Sequence, residues 1–166
     1  MKKNKEIFLS DLNRFFKKLF SNKDHIIVFQ TEIIPTAVFY RLSGKFISTK
    51  IFNYIEKYYS DKTILFPAFS NDFVNKKKYD VRLSKPNTGI IPNIALLSKR
   101  YNRTESPIHS FLIKGPLAKD ACSLFQETTW GNGSVYRWLY ENNAKWISFN
   151  LRLNRGCAIH HMSEEI

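Results

Sequence analysis

Cysteine is scarce in this chain. Cys122 and Cys157 are the only two, too few for a disulfide scaffold, and a reduced, cytoplasmic protein is the simpler expectation. Long hydrophobic runs are lacking as well. Met1 to Glu6 is charged and no extended apolar stretch follows, so the sequence presents neither a signal peptide nor a membrane span. Internal repeats, low-complexity tracts and linkers are also missing, and 166 residues suit one domain with a sizeable core. Acidic residues are few, 14 against 26 basic ones, giving a formal charge of +12. That sign suits a polyanionic partner or a solvated lysine-rich surface. The lysines are dispersed, with only Lys76-Lys77-Lys78 in a tight run, which argues against a nucleic-acid-binding stripe. What is plentiful is apolar and aromatic residues, 43% and 15% of the chain, and this excludes disorder.

Periodicity places the elements. Phe8, Leu12, Phe15, Phe16 and Leu19 recur at helical spacing, so the amino terminus reads as an amphipathic helix packed on a core. His25 to Gln30 reads as a buried strand and Thr36 to Arg41 as helical. Ser48 or Thr49 can cap a helix that puts Ile51, Ile55 and Tyr58 on one face. Thr63 to Phe66 is a second strand, ended by Pro67. Asn71 to Pro86 is polar and longer than a plain connector, a length that often carries function. Thr88 can cap a helix running to about Arg100. Pro116 starts another that turns Leu117, Ala121, Leu124 and Phe125 inward. A helix from Gly133 or Ser134 buries Val135, Trp138 and Leu139, and Lys145 to Leu151 alternates like a strand. Asn154 to Gly156 then turns the chain into a last helix near Cys157. Helix and strand in alternation predict a single α/β domain, a mixed sheet flanked by helices.

Three stretches could carry chemistry. In Cys157 to Glu164, His161 and Glu164 are i,i+3 neighbours if the segment is helical, and a carboxylate beside a histidine can hold its tautomer and stabilise the imidazolium. A surface ion pair is the plainer reading of the same two residues. A zinc site from Cys157, His160, His161 and Glu164 is disfavoured, because adjacent helical histidines point about 100° apart. Cys157 at a helix start could be nucleophilic, or simply a small buried hydrophobe. The second stretch is Ser106 to Phe111, after Arg103. The third is Trp130-Gly131-Asn132-Gly133-Ser134, which suits backbone contacts to an anion or carbonyl, or equally a turn with a capping serine.

In this order and spacing the pieces resemble the aminoglycoside 3-N-acetyltransferase family. The resemblance rests on Ile64 to Ser70, Tyr79-Asp80-Val81-Arg82 with Pro86 to Gly89, Arg103 with Pro107 to Phe111, Trp130 to Ser134, and the His-x-x-Glu pair His161 and Glu164. It spans about residues 5 to 166. It implies direct acetyl transfer from acetyl-CoA to an amine of an aminoglycoside or amino sugar, with no covalent acyl-enzyme and no metal. His161 would be the general base and Glu164 its partner. Thr31, Ile33, Arg103, His109 and Ser110 would contact the cofactor, and Asp80 and Ser134 the acceptor. The part from Gly133 to Glu164 looks closest to members from surface-polysaccharide and amino-sugar pathways. A homo-oligomer is compatible with all of this.

Departures qualify the match. Gln30-Thr31-Glu32 stands where members usually carry His-Ser-Ser, Ser106 replaces a usual histidine, and Ala158 a usual hydroxyl residue. Members of the family continue beyond the His-x-x-Glu helix, so residues 1–166 are expected to form an incomplete domain lacking later strands. A non-catalytic remnant or interaction module is the alternative expectation.

Overall fold

The computed structural model describes residues 2–151 apart from 73, 75, 76 and 126. The expected turn and helix beyond residue 151 therefore lie outside the described residues. The elements are α1 (Lys2–Leu19), β1 (Ile26–Thr31), α2 (Ile34–Tyr40), α3 (Gly44–Tyr58), β2 (Thr63–Pro67), α4 (Ile90–Leu97), β3 (Asn102–Arg103), β4 (Phe111–Lys114), α5 (Ala118–Cys122), α6 (Val135–Glu141) and β5 (Lys145–Phe149). The five strands form one sheet in the order β3-β4-β2-β1-β5. β1 pairs in parallel with β2 and β5, while β4 runs antiparallel to both β2 and β3. The sheet is mixed, as expected.

Both sheet faces are covered, which explains why β1 and β2 read as near-continuous apolar runs. Side chains alternate across the sheet. Ile27, Phe29, Ile64, Phe66 and Leu112 face a core shared with Phe8, Leu12 and Phe16 of α1 and Ile47, Ile51 and Ile55 of α3. Ile26, Val28, Leu65, Phe111 and Ile113 face a second core with Ala121 of α5 and Val135, Tyr136 and Leu139 of α6. Phe16 is the aromatic hub of the first core, with ring centroids 5.5 Å from Phe15 and 5.6 Å from Tyr58. None of the described helices is long and apolar enough to cross a membrane.

Several local expectations are corrected. α3 starts five or six residues early, because Ser43 rather than Ser48 or Thr49 caps it, accepting from the Phe46 amide at 3.3 Å. Ser48 and Thr49 lie inside the helix and donate back to the carbonyls of Gly44 and Lys45. α4 starts after Gly89, because the Thr88 hydroxyl is turned to the Pro67 carbonyl instead of capping, and it stops at Leu97. The β3–β4 hairpin was not legible as strands. Its strands have two and four residues, too short for a period to show. α5 is a single short helix, and Phe125 beyond it is 82% exposed, not inward.

Far from the strand ends discussed below, Glu56 of α3 ties the hairpin to the helical layer. Its carboxylate accepts from Lys114 Nζ at 2.8 Å and from the Tyr101 hydroxyl, and Arg100 lies at 2.7 Å. Burial of Glu56 pushes its pKa up, but hydrogen bonds from Lys114 and Tyr101, then the charges of Lys114 and Arg100, bring it below the ordinary 4.5. The sign follows from linkage: a depressed carboxylate contributes stability above its unfolded value and loses it as pH falls through the folded value. Glu56→Gln should therefore cost about 1–3 kcal/mol at pH 7. Urea unfolding of both proteins should show that gap narrowing below about pH 4.5; a gap unchanged at pH 3 would show that this carboxylate is not the source.

Candidate active site

In open α/β sheets ligands gather outside the carboxyl ends of the parallel strands. Here the carboxyl ends of β1 and β2 frame a cleft of about 240 Å³ whose walls include Gln30, Thr31, Pro67, Phe69, Thr88 and Leu151. Each wall has a local cause. Thr31 is the last residue of β1, fixed by its parallel register with Phe149 and by the Glu32 amide donating to the Phe149 carbonyl at 2.9 Å. Pro67 ends β2, because it has no amide with which to continue a ladder. The two ends of the segment between β2 and α4 are tied together where the Asn87 amide donates to the Phe69 carbonyl at 2.7 Å and Asn87 Oδ1 accepts from the Asn71 amide at 2.9 Å. That closure carries Thr88 back to the strand end.

Behind this wall lies a buried guanidinium. Arg103 Nε donates to Ser110 Oγ at 3.0 Å, while its two terminal nitrogens donate to the Ser84 and Ala68 carbonyls. Ser110 Oγ in turn donates to Ala68 O at 2.9 Å. The Tyr79 ring centroid lies 5.1 Å from the guanidinium carbon. Burial lowers the pKa of Arg103 from its ordinary value, and burial raises that of Tyr79.

Of the expected cofactor residues, Thr31 lines the cleft. His109 is half-buried on the same side, its ring 4.9 Å edge-on from Phe69 and 5.0 Å from Trp130. Ser110 and Arg103 are buried beneath the wall, not on it; Arg103 is 5% exposed and has three acceptors already satisfied. Ile33 is turned away, into a shallow apolar groove beside Gly44 and Ile90. Asp80 is exposed, and its Oδ1 accepts from the Arg82 and Leu83 amides at 2.7 and 2.9 Å, shaping the turn. Ser134 is fully buried as the cap of α6, accepting from the Arg137 amide at 3.0 Å. His161, Glu164 and Cys157 lie outside the described residues.

Sequence reasoning did not single out Gln30, Phe69 or Thr88 as site residues. The available signal was the strand-end rule applied to Thr31 and Pro67. A larger hollow, about 630 Å³, lies between α1, α2 and the end of β5, with Asp11, Phe39 and Tyr40 in its walls. It holds none of the expected site residues. Among the described residues no group of three or more His, Cys, Asp or Glu side chains converges on a metal-sized space.

A family model described as aminoglycoside 3-N-acetyltransferase matches residues 56–166. No curated protein matches the chain. Solved structures with the same fold include AAC-IIIb bound to CoASH, at 15% identity and TM-score 0.77, over 95% of this chain and 64% of that one. YokD protein from Bacillus subtilis superposes with TM-score 0.78 at 13% identity, over 95% of this chain and 69% of that one. A sisomicin-bound AAC-VIa structure matches at 14% identity and TM-score 0.68, over 84% of this chain and 58% of that one. The chain thus spans somewhat under two thirds of the length of the first of these relatives.

Proposed function

The chain belongs to the aminoglycoside 3-N-acetyltransferase family, and from that premise we propose that it takes part in acetyl transfer from acetyl-CoA to an amine of an aminoglycoside or amino sugar. An amino sugar of surface-polysaccharide synthesis is the narrower acceptor, suggested by the resemblance from Gly133 to Glu164. The observation that carries the reading is the cleft at the ends of β1 and β2, bounded by Thr31 and by the Pro67–Phe69 wall. Its walls are mostly apolar, with a few polar groups, the character of a pocket for a slender organic chain.

In the proposed reaction the amine must first lose a proton, because an ammonium has no lone pair. His161 takes that proton and Glu164 stabilises the resulting imidazolium. The amine nitrogen bonds to the acetyl carbonyl carbon, the carbon–sulfur bond breaks, and the thiolate leaves to be protonated. Thr31 and His109 are the proposed contacts to the cofactor end, and Asp80, exposed at the loop turn, is the proposed contact to the cationic acceptor. Family relatives solved with CoASH and with sisomicin support both classes of ligand.

Ligand-linked stability tests this. Coenzyme A at 100 times its dissociation constant should raise stability by about 2.7 kcal/mol, seen as an upward shift in Tm. Thr31→Trp, which fills the cleft, should abolish the shift while leaving the ligand-free Tm nearly unchanged. No shift with millimolar coenzyme A would remove the cofactor reading.

A further inference from the structure

We propose that Arg103 is a positioning residue, which shapes the cofactor cleft from behind by holding three separate chain segments in one geometry. The proposal rests on the reading of the cleft given above, but its structural claim stands apart from any ligand.

Three directions of the planar guanidinium are occupied. Nε meets the hydroxyl of Ser110 at the start of β4, one terminal nitrogen meets the Ser84 carbonyl, and the other meets the Ala68 carbonyl. Ala68 stands between Pro67 and Phe69, both on the cleft wall. Drawing its carbonyl backward to Arg103 fixes the peptide from which Phe69 projects. Ser84 belongs to the Asp80 turn, where its Oγ accepts from the Asp80 amide at 3.1 Å and its own amide donates to the Asp80 carbonyl at 2.9 Å. One side chain therefore links the cleft wall, the Asp80 turn and the His109–Ser110 corner. The Tyr79 ring, 5.1 Å away, packs on the cation, and its hydroxyl donates to the Thr104 carbonyl at 3.4 Å.

The chemistry calls for arginine. A guanidinium carries five donors in a fixed fork on three nitrogens, whereas the three donors of an ammonium radiate from one atom and cannot span acceptors placed around all three. A buried cation held by carbonyl and hydroxyl dipoles is also stiff: releasing any one acceptor leaves charge unsolvated. This stiffness is what a cleft wall needs to present Phe69 and Thr88 at a constant spacing.

Hydrogen exchange on Arg103→Lys tests the idea, with global stability measured in parallel by urea. The amides of Ala68 and Asn87, which donate to Ser110 O and Phe69 O, should lose at least about tenfold in protection beyond the global change. The Glu32 amide, bonded to Phe149 O, should change only with the global value. Where the wild-type chain binds coenzyme A, the same variant should weaken binding by at least about tenfold. Ser110→Ala, which keeps the arginine, should give the same local pattern more weakly, and it decides the matter if Arg103→Lys does not fold. Loss spread evenly over the sheet, or protection at Ala68 and Asn87 unchanged in both variants, would overturn the proposal. Absence of coenzyme A binding in the wild type would count against the cofactor reading alone, because the exchange pattern needs no ligand.

Discussion

His161→Ala should lower kcat for acetyl transfer roughly 10²- to 10⁴-fold, the range usual for losing a general base. The amine reacts only as the free base, and at neutral pH most of it is protonated. Without an adjacent base the enzyme waits for the small unprotonated fraction to arrive from solution. Binding of coenzyme A should persist in this variant, since the proposed cofactor contacts lie at Thr31 and His109. His160 stands outside the His-x-x-Glu match, so His160→Ala is the control and should cost far less. The measurement is steady-state acetylation of an amino sugar or aminoglycoside, in whatever form of the protein shows turnover. Turnover within a few-fold of wild type would assign the base elsewhere. An acetyl thioester on Cys157, trapped in a single turnover and found by mass spectrometry, would argue for a covalent route instead.

Gly115→Ala should cost about 2–6 kcal/mol of folding stability, since backbone strain and overpacking each contribute about 1–3 kcal/mol. Gly115 follows β4 with φ at +122°, a conformation that an L side chain rarely adopts. A Cβ there would stand 2.3 Å from the Lys62 carbonyl oxygen and 2.6 Å from the Thr63 Cα. These are backbone atoms at the start of β2 and cannot swing aside. Relief requires parting the Ile64–Lys114 end of the antiparallel pair and the bond from the Leu117 amide to Thr63 Oγ1. A domain of this size is stable by only about 5–15 kcal/mol, so the variant should lose a large share of its stability and unfold at a clearly lower temperature. Urea titration gives the answer directly, and a loss below about 1 kcal/mol would show that the close approach is not maintained.

These outcomes draw unequally on sequence and structure. Much of the order of helices and strands was legible, because α1 and α6 carry a clear helical period while β1 and β2 are short, near-continuous apolar runs. The mixed sheet was legible as well, from the alternation of elements and the resemblance. Thr31 could be placed at a strand end, and it does lie in the cleft. The roles of Asp80 and Ser134 were harder to read. A buried capping hydroxyl and an exposed ligand serine look alike in a string of letters, and only the fold shows Ser134 spent on the Arg137 amide.

What the sequence determined by itself is what local spacing encodes: an apolar stripe, a proline that ends a strand, and an ordered set of motifs that resemble one family. The tertiary structure alone decided which distant residues meet. No spacing rule joins Ala68, Ser84, Arg103 and Ser110, because their meeting depends on β4 running antiparallel beside β2 and on Asn87 returning to Phe69 and Asn71. Gly115 is the same case in miniature. Its need for no side chain arises from Lys62 and Thr63, residues that only the pairing of β2 with β4 brings against it.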